Sequence, residues 1–166
     1  MNENDLIPLA EKVVKNLTEQ NKTLAVAESC TGGWLSKLIT DVSGASSVYK
    51  GGVCSYSNEV KMSILGVKKE TLEAEGAVSR STAEQMAQGV RKALNTDYGI
   101  GITGIAGPKS DNTNKPVGLI FVAFASENET KVIRLENKFT QNIRNSNRLS
   151  ALETALNILS GGIINE

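Results

Sequence analysis

The order of apolar patterns along this chain predicts an α/β fold, a single-domain three-layer α/β/α sandwich with a mixed central sheet. Segments whose apolar residues recur at helical spacing alternate with short apolar runs bounded by turn residues, which are typical of buried strands. Two strands joined by the short connection 126–129 then predict a hairpin. A length of 166 residues suits one full core, so we expect residues 1–166 to form one domain.

The first half of the chain is predicted to hold two strands and four helices. Asp5 is the expected cap of the first helix, and Asn58 and Glu59 are the expected caps of a short helix in the middle of the chain. In chain order we predict a helix at 5–20, a strand at 23–27, a helix at 32–42, a strand at 51–57 and short helices at 58–65 and 68–74.

The second half begins with the clearest helix, because Ser81 and Glu84 are spaced as a capping box before an apolar stripe. It ends with a helix that we expect Gly161 and Gly162 to stop. The predicted elements are a helix at 81–94, a strand at 97–102, a Gly/Pro/Asn/Asp-rich loop at 103–116, hairpin strands at 117–125 and 130–139, and a helix at 143–160.

Ligands of such sheets bind beyond the carboxyl ends of the strands. Three loops of the predicted fold qualify, at 28–33, 56–61 and 103–116. The functional site is therefore expected where these loops meet.

Composition argues against several classes of partner. Lys plus Arg and Asp plus Glu each total 18, so no net charge draws the protein to nucleic acid or to a membrane. Aromatic residues make up 4%, which is few for stacking on single-stranded nucleic acid. No apolar run approaches the ~20 residues that span a bilayer, and the N-terminus lacks a signal pattern. We expect a cytoplasmic protein that binds a small molecule.

Ser29 is the candidate nucleophile. It lies between a predicted strand and two glycines that open a helix, a placement that exposes a side chain. The chain has no histidine, which excludes a Ser-His-Asp triad and a histidine-ligated metal. Because a serine hydroxyl is a weak nucleophile, its base would have to be lysine, tyrosine or a carboxylate. The alternative is that Ser29 only caps the helix.

Lys61 is the candidate base, and it could act only if burial lowered its pKa from about 10.4. Tyr56, five residues earlier, could relay a proton or hydrogen-bond Ser29 or Lys61. Each residue has a plainer interpretation, as a solvated lysine on a short helix and as a half-buried strand tyrosine.

The residues around Ser29 leave further alternatives open. Cys30 could be the nucleophile, since a helix N-terminus lowers thiol pKa, but no histidine is present to pair with it. Cys54 is expected in the core. Gly32 and Gly33 offer backbone N–H groups for a tetrahedral oxyanion. Close packing of a helix on a strand is the plainer interpretation, and both can hold together.

Five motifs occur in an order and spacing that resemble a known family. They are Ala27-Glu-Ser-Cys-Thr-Gly-Gly33, Tyr56-Ser-Asn-Glu-Val-Lys61, Gly76-Ala-Val-Ser79, Thr103-Gly-Ile-Ala-Gly-Pro108 and Lys115-Pro-Val-Gly118. Together they resemble the CinA C-terminal domain family over essentially the whole chain, and in particular its PncC-type nicotinamide mononucleotide deamidases.

The resemblance implies hydrolysis of the carboxamide of nicotinamide mononucleotide to nicotinic acid mononucleotide and ammonia, without a metal or an organic cofactor. It implies Ser29 as the nucleophile, with Lys61 and Tyr56 as its catalytic partners. The expected partner is a small-molecule nucleotide, and the expected assembly is a homodimer. The substrate-binding residues that it implies are Cys30, Thr31, Gly32, Gly33, Asn58, Thr103, Gly104, Ile105, Ala106, Gly107, Arg144 and Arg148.

Two departures from the family pattern concern substrate binding. The family's Gly-Pro-Asp-Gly-Gly loop appears here as Gly107-Pro-Lys-Ser-Asp111, and its Gly-Asp-Arg before the last helix is replaced by Gln141-Asn-Ile-Arg144. The loop at 103–107 still suits a phosphate or ribose, and Arg144 with Arg148 could clamp a phosphate. The other interpretations are a catalytically silent nucleotide-binding or regulatory module and a structural or partner-binding domain.

Overall fold

The computed structural model describes residues 1–161, which form five strands, six α-helices and two 3-10 turns. The strands are β1 (Leu24–Glu28), β2 (Tyr49–Cys54), β3 (Tyr98–Gly104), β4 (Leu119–Ala125) and β5 (Thr130–Glu136). The helices are α1 (Ile7–Glu19), α2 (Trp34–Thr40), α3 (Asn58–Ser63), α4 (Lys69–Glu75), α5 (Arg80–Ala93) and α6 (Ile143–Leu159). The 3-10 turns are Glu3–Leu6 and Ala45–Ser47.

The five strands form one mixed sheet in the order β2-β1-β3-β4-β5. Strand β1 pairs parallel with both β2 and β3, whereas β4 pairs antiparallel with β3 and β5. The carboxyl ends of β1, β2 and β3 therefore lie together at one end of the sheet. The loops that follow these strands meet there, as the sequence predicts.

Helices cover both faces of the sheet, so the predicted three-layer sandwich is confirmed. On one face, α1, α2 and α6 share a core with strand residues such as Val26 and Ile102. On the other face, α5 and the segment that follows α3 pack on Ala25 and Ala27. Because both faces of β1 are buried, its sequence is continuously apolar up to Glu28 rather than alternating. Within residues 1–161, no helix combines the length and apolar composition needed to cross a membrane.

Helix α5 begins at a different cap from the predicted one. Ser79 has an extended backbone, and its Oγ accepts a hydrogen bond from the Thr82 N–H at 3.1 Å. Ser81 already lies inside the helix, and its hydroxyl donates to the Glu75 carboxylate. The predicted capping box at 81–84 is therefore wrong, because the cap is the residue whose backbone is still extended.

Two other predicted caps are wrong for the same reason. A 3-10 turn precedes α1, and Asn2 is its cap, while the Asp5 carboxylate accepts a hydrogen bond from the Asn2 N–H at 2.7 Å. Ser57 caps α3 in place of Asn58 and Glu59.

The last two elements end slightly earlier than predicted. Strand β5 ends at Glu136, and α6 ends at Leu159. Gly161 has a φ of 77°, in the left-handed region that suits a glycine after a helix. Gly162, the second predicted stop, lies outside the described residues.

The start of α2 holds the residues that follow β1. Glu28, the last residue of β1, is buried at 1% exposure. Its carboxylate accepts hydrogen bonds from the N–H groups of Gly33, Leu35 and Ser36 at 2.9–3.1 Å. These N–H groups belong to the part of a helix that lacks internal acceptors, and the positive end of the helix dipole stabilises the carboxylate charge.

We expect Glu28→Ala to lower the free energy of unfolding by about 2–4 kcal/mol, because buried N–H groups would lose their acceptor. Urea unfolding followed by circular dichroism measures the change. The matched control is Glu127→Ala, which removes an exposed carboxylate and should stay within about 0.5 kcal/mol of the parent chain. A Glu28→Ala protein as stable as this control would show that the carboxylate does not hold the helix start.

Candidate active site

Ser29 and Lys61 lie side by side at the carboxyl end of the sheet. Ser29 directly follows β1, and Lys61 lies in α3, which follows β2. The Lys61 Nζ atom lies 3.1 Å from Ser29 Oγ and donates to the carbonyl oxygen of Ser55 at 2.5 Å. The structure therefore brings the predicted nucleophile and the predicted base within hydrogen-bond distance.

The environment of Lys61 favours its neutral form. Lys61 is 1% exposed, so its interpretation as a solvated lysine is wrong. Burial lowers the pKa of Lys61 below that of an ordinary lysine, and the nearby Cys30 thiol acts in the opposite sense. Within residues 1–161, no carboxylate lies at ion-pair distance from its Nζ. The side chain can therefore give up its proton more easily than a lysine in water.

A turn after β1 presents Ser29. The Gly32 N–H donates to the Ser29 carbonyl at 3.1 Å, and the Ser29 N–H donates to the Ile102 carbonyl on β3 at 3.0 Å. Gly32 has a φ of 61°, in the left-handed region that glycine adopts without a steric penalty. The half-buried Ser29 side chain is thus carried on a backbone that is bonded on both sides.

The N–H groups of Gly32 and Gly33 are already used inside the protein. The first closes the turn on Ser29, and the second donates to the Glu28 carboxylate at 3.1 Å. The prediction that these two groups stabilise an oxyanion stays a prediction, and neither group is a free donor in the structure. In the described part of the chain, the N–H groups of Cys30 and Thr31 donate to no acceptor.

The two cysteines lie in different environments, and only Cys54 departs from its expected place. Cys30 is 7% exposed, and burial raises the pKa of its thiol to about 11. A thiol that stays protonated at neutral pH is a poor nucleophile. Cys54 is exposed, so its expected place in the core is wrong. The reason is that β2 is the edge strand of the sheet, with residues that alternate between exposed and half-buried.

Tyr56 lies at the rim of the site and is 67% exposed. Its hydroxyl accepts a hydrogen bond from Arg144 Nη2 at 3.1 Å. Among the described residues, no hydrogen bond joins Tyr56 to Ser29 or to Lys61, so the expected direct bond is absent and the half-buried interpretation is also wrong. The hydrogen-bond partner of Tyr56 is therefore Arg144, and not Ser29 or Lys61.

The first two turns of α6 bind the backbone of two site loops. Residues 144, 147 and 148 share one face of the helix because they are three and four positions apart. The donors and their carbonyl acceptors, at 2.8–3.0 Å, are Arg144 with Gly107, Asn147 with Ala106, and Arg148 with Thr31. Asn147 is buried at 1% exposure and was missed by sequence reasoning. The available signal was its spacing from the two arginines.

The two arginines lie in different environments. Arg144 is exposed at the start of α6, whereas Arg148 is half-buried. The guanidinium carbon of Arg148 lies 4.7 Å from the centroid of the Trp34 ring, within the range of a cation–π contact. Arg148 therefore contacts the loop that carries Ser29, which differs from its predicted role as a phosphate clamp.

Other motif residues support the loops by packing and hydrogen bonds. The Thr103 hydroxyl donates to the Ala77 carbonyl at 2.7 Å, and Lys115 Nζ donates to the Val78 carbonyl at 2.6 Å. The motifs at 76–79, 103–108 and 115–118 are thus joined to one another. Because its hydroxyl donates to the Ala77 carbonyl, Thr103 has a structural role in joining these loops.

The remaining predicted substrate-binding residues fall into two groups. Ile105 and Ala106 are buried, and Gly104 packs closely on Ile120. Asn58 is exposed at the start of α3 and forms no side-chain hydrogen bond within residues 1–161.

In the same part of the chain, no three His, Cys, Asp or Glu residues are placed to share a metal ion.

Comparison with known sequences identifies the family. The model of the CinA C-terminal domain matches residues 6–163. A CinA-like protein of Syntrophomonas wolfei subsp. wolfei is 49% identical over 151 residues, which are 91% of this chain and 36% of that protein. The chain spans about a third of the length of the curated relatives that it matches.

Solved structures of similar length share the fold. The competence/damage inducible protein CihA from Agrobacterium tumefaciens has a TM-score of 0.89 and 35% identity, with 95% of this chain and 94% of that chain covered. The competence damage-inducible protein A (ComA) from Klebsiella pneumoniae has a TM-score of 0.88 and 28% identity, with 93% and 94% covered. The predicted family is confirmed: this chain belongs to the CinA C-terminal domain family.

Proposed function

We propose that this chain is an amidohydrolase that converts nicotinamide mononucleotide to nicotinic acid mononucleotide and ammonia. The observation that carries the proposal is the 3.1 Å contact between Ser29 Oγ and the Nζ of the buried Lys61. A buried amine with a lowered pKa is a base that can activate a serine without histidine. The choice of substrate rests on the motifs that this chain shares with the nicotinamide mononucleotide deamidases.

In the proposed reaction, the neutral Lys61 amine takes the hydroxyl proton while Ser29 Oγ attacks the carboxamide carbon. The tetrahedral intermediate collapses as the C–N bond breaks, and the Lys61 ammonium returns the proton to the leaving nitrogen, which departs as ammonia. Water, deprotonated by the same amine, then hydrolyses the Ser29 ester. As the ester bond breaks, the Lys61 ammonium returns its proton to Ser29 Oγ. The acid product leaves and loses its proton to solvent, so both side chains return to their starting states.

Arg144 is the proposed ligand of the 5′-phosphate. A neutral chain needs a local cation for a phosphorylated substrate, and Arg144 lies at the start of α6, where Asn142 makes no side-chain cap and N–H groups favour an anion. The neighbouring cleft of about 320 Å³ is lined by Pro108, Thr140, Asn142, Ile143, Arg144 and Asn145. Because the Tyr56 hydroxyl accepts its bond from Arg144, its own O–H stays available to donate to the substrate, which is our proposal for its role.

A nucleotide-binding module without turnover is the second candidate. The departure at 141–143 lines this cleft through Asn142 and Ile143, and the departure at 109–111 directly follows Pro108, which also lines it. This placement favours altered binding over altered chemistry. A coupled ammonia assay on the purified chain separates the two functions. Ammonia release supports the hydrolase, whereas thermal stabilisation by the nucleotide without release supports the module. A homodimer stays a prediction that light scattering can check.

Ser29→Ala is expected to abolish ammonia release, because no other hydroxyl is held against Lys61 Nζ in the described residues. Circular dichroism should show an unchanged fold. Cys30→Ala is the matched control at the adjacent position and should keep most of the activity, since its thiol stays protonated. If Ser29→Ala still turns over substrate, or if Cys30→Ala loses all activity while Ser29→Ala does not, the nucleophile is Cys30 and not Ser29.

Activity is expected to rise with pH until Lys61 is neutral, with a midpoint below the pKa of an ordinary lysine. The sign follows from burial, which lowers the pKa of Lys61, and from the need for an unprotonated base. A kcat/KM profile measures the midpoint. Lys61→Arg should be nearly inactive across the range, because guanidinium stays protonated. A flat profile in the parent chain, or an active Lys61→Arg protein, would refute the role.

Arg144→Ala is expected to raise KM for the nucleotide about tenfold to a hundredfold, as the loss of one charged hydrogen bond would cause. The value of kcat should change little if the contact is equally strong in the ground and transition states. Hydrolysis of the dephosphorylated riboside should be slow and independent of Arg144. Equal losses toward nucleotide and riboside would place the phosphate elsewhere.

A further inference from the structure

In the Ser29 loop, two backbone N–H groups have no hydrogen-bond acceptor. The loop is here defined as residues 29–33. Its carbonyl at Ser29 is bonded to the Gly32 N–H, and its N–H at Gly33 is bonded to the Glu28 carboxylate. In the described part of the chain, the backbone N–H groups of this loop that remain without an acceptor are those of Cys30 and Thr31, and the buried Thr31 hydroxyl also has no partner.

These two donors belong to the residues directly after the nucleophile. In a planar trans peptide, the C=O and the N–H point in opposite directions. The Ser29 carbonyl points into the turn, toward Gly32, so the Cys30 N–H of the same peptide points out of it. Preorganised N–H groups of this kind are the usual donors to the oxygen of a tetrahedral intermediate.

We propose that the N–H groups of Cys30 and Thr31 bind the oxyanion, and that Arg148 is the positioning residue that holds them in place. The inference rests on the proposed amide hydrolysis by Ser29. It assigns Arg148 to the chemistry of the carboxamide, not to the phosphate.

Arg148 fixes the loop through the carbonyl of Thr31. Its Nη2 donates to that oxygen at 2.8 Å, and the N–H of the same peptide, at Gly32, is bonded to Ser29. In the peptide group between Thr31 and Gly32, both the carbonyl and the N–H are therefore hydrogen-bonded. The Trp34 ring, 4.7 Å from the guanidinium carbon, is a second contact that holds Arg148 in position.

The half-buried state of Arg148 makes it unsuited to binding a mobile ligand. Its Nε atom is buried, and its guanidinium already contacts the Thr31 carbonyl and the Trp34 ring. Arg144, in contrast, is exposed. The two arginines of one helix face should therefore have different kinetic signatures.

Kinetics of Arg148→Met, which keeps the apolar stem and removes the donors, test this division. Loss of an oxyanion donor costs about 10²–10³ in kcat, so a loosened loop is expected to lower kcat about tenfold to a hundredfold. KM should change less than about threefold, and the riboside should lose the same factor as the nucleotide. Arg148→Lys, which keeps a cation and one donor, should recover part of kcat. The control Arg134→Met, on β5 at the far edge of the sheet, should match the parent chain.

Several results would overturn the inference. A raised KM for the nucleotide with a normal rate on the riboside would return Arg148 to the phosphate. An unchanged kcat in Arg148→Met would remove it from the reaction. A midpoint of the basic pH limb that moved in Arg148→Met would show that the residue acts through Lys61 instead.

A second measurement does not depend on turnover. Pyridine-3-boronic acid adds a serine oxygen to form a tetrahedral anion, and ¹⁵N–¹H spectra report which amides bind it. We expect the largest shifts at Cys30 and Thr31, and binding at least about tenfold weaker in Arg148→Met. Shifts centred on Gly32 and Gly33 would refute the assignment. If the parent chain binds the boronate at Cys30 and Thr31 but releases no ammonia, the proposed substrate is refuted and the oxyanion site is supported. If the parent chain neither binds the boronate nor releases ammonia, both proposals are overturned.

Discussion

A lysine amine enclosed at the end of a parallel sheet is the constraint on which the rest of this site depends. Burying an ammonium without a carboxylate partner is unfavourable, and this burial lowers the pKa of Lys61. The amine is held by the Ser55 carbonyl and by Ser29 Oγ. Both acceptors follow strands that end at the same place because β1 and β2 are parallel neighbours. A shift of either strand would separate the pair.

The loops around this pair are held through their backbone. Glu28 binds the N–H end of the Ser29 loop, and Arg148 binds its carbonyl at Thr31. Asn147 and Arg144 bind the carbonyls of the loop after β3 in the same manner. Helix α6 is thus the element that connects the loops of two adjacent parallel strands. Asn147 and Arg148 act on main-chain atoms, so their function does not require them to touch the substrate.

Local sequence patterns predicted the positions of helices and strands better than they predicted the residue that caps each helix. Continuous apolar runs located β1 and β3, and helical spacing located α5 and α6. The cap of α5 was misplaced because Ser79 and Ser81 are both good caps by residue type, and only the backbone at Ser79 is extended. Tyr56 was expected beside Ser29, yet it follows the end of an edge strand, where its side chain remains exposed and Arg144 can reach it.

The sequence by itself predicted the fold class and the strand ends that carry the site, and the absence of histidine restricted the base of Ser29 to lysine, tyrosine or a carboxylate. These follow from periodicity and composition, which are properties of the chain alone. Only the tertiary structure decided which backbone N–H groups remain free, which arginine is exposed and which is half-buried, and that Glu28 caps α2. Such outcomes depend on which donor meets which acceptor across elements far apart in the chain, and spacing along a sequence does not contain that information.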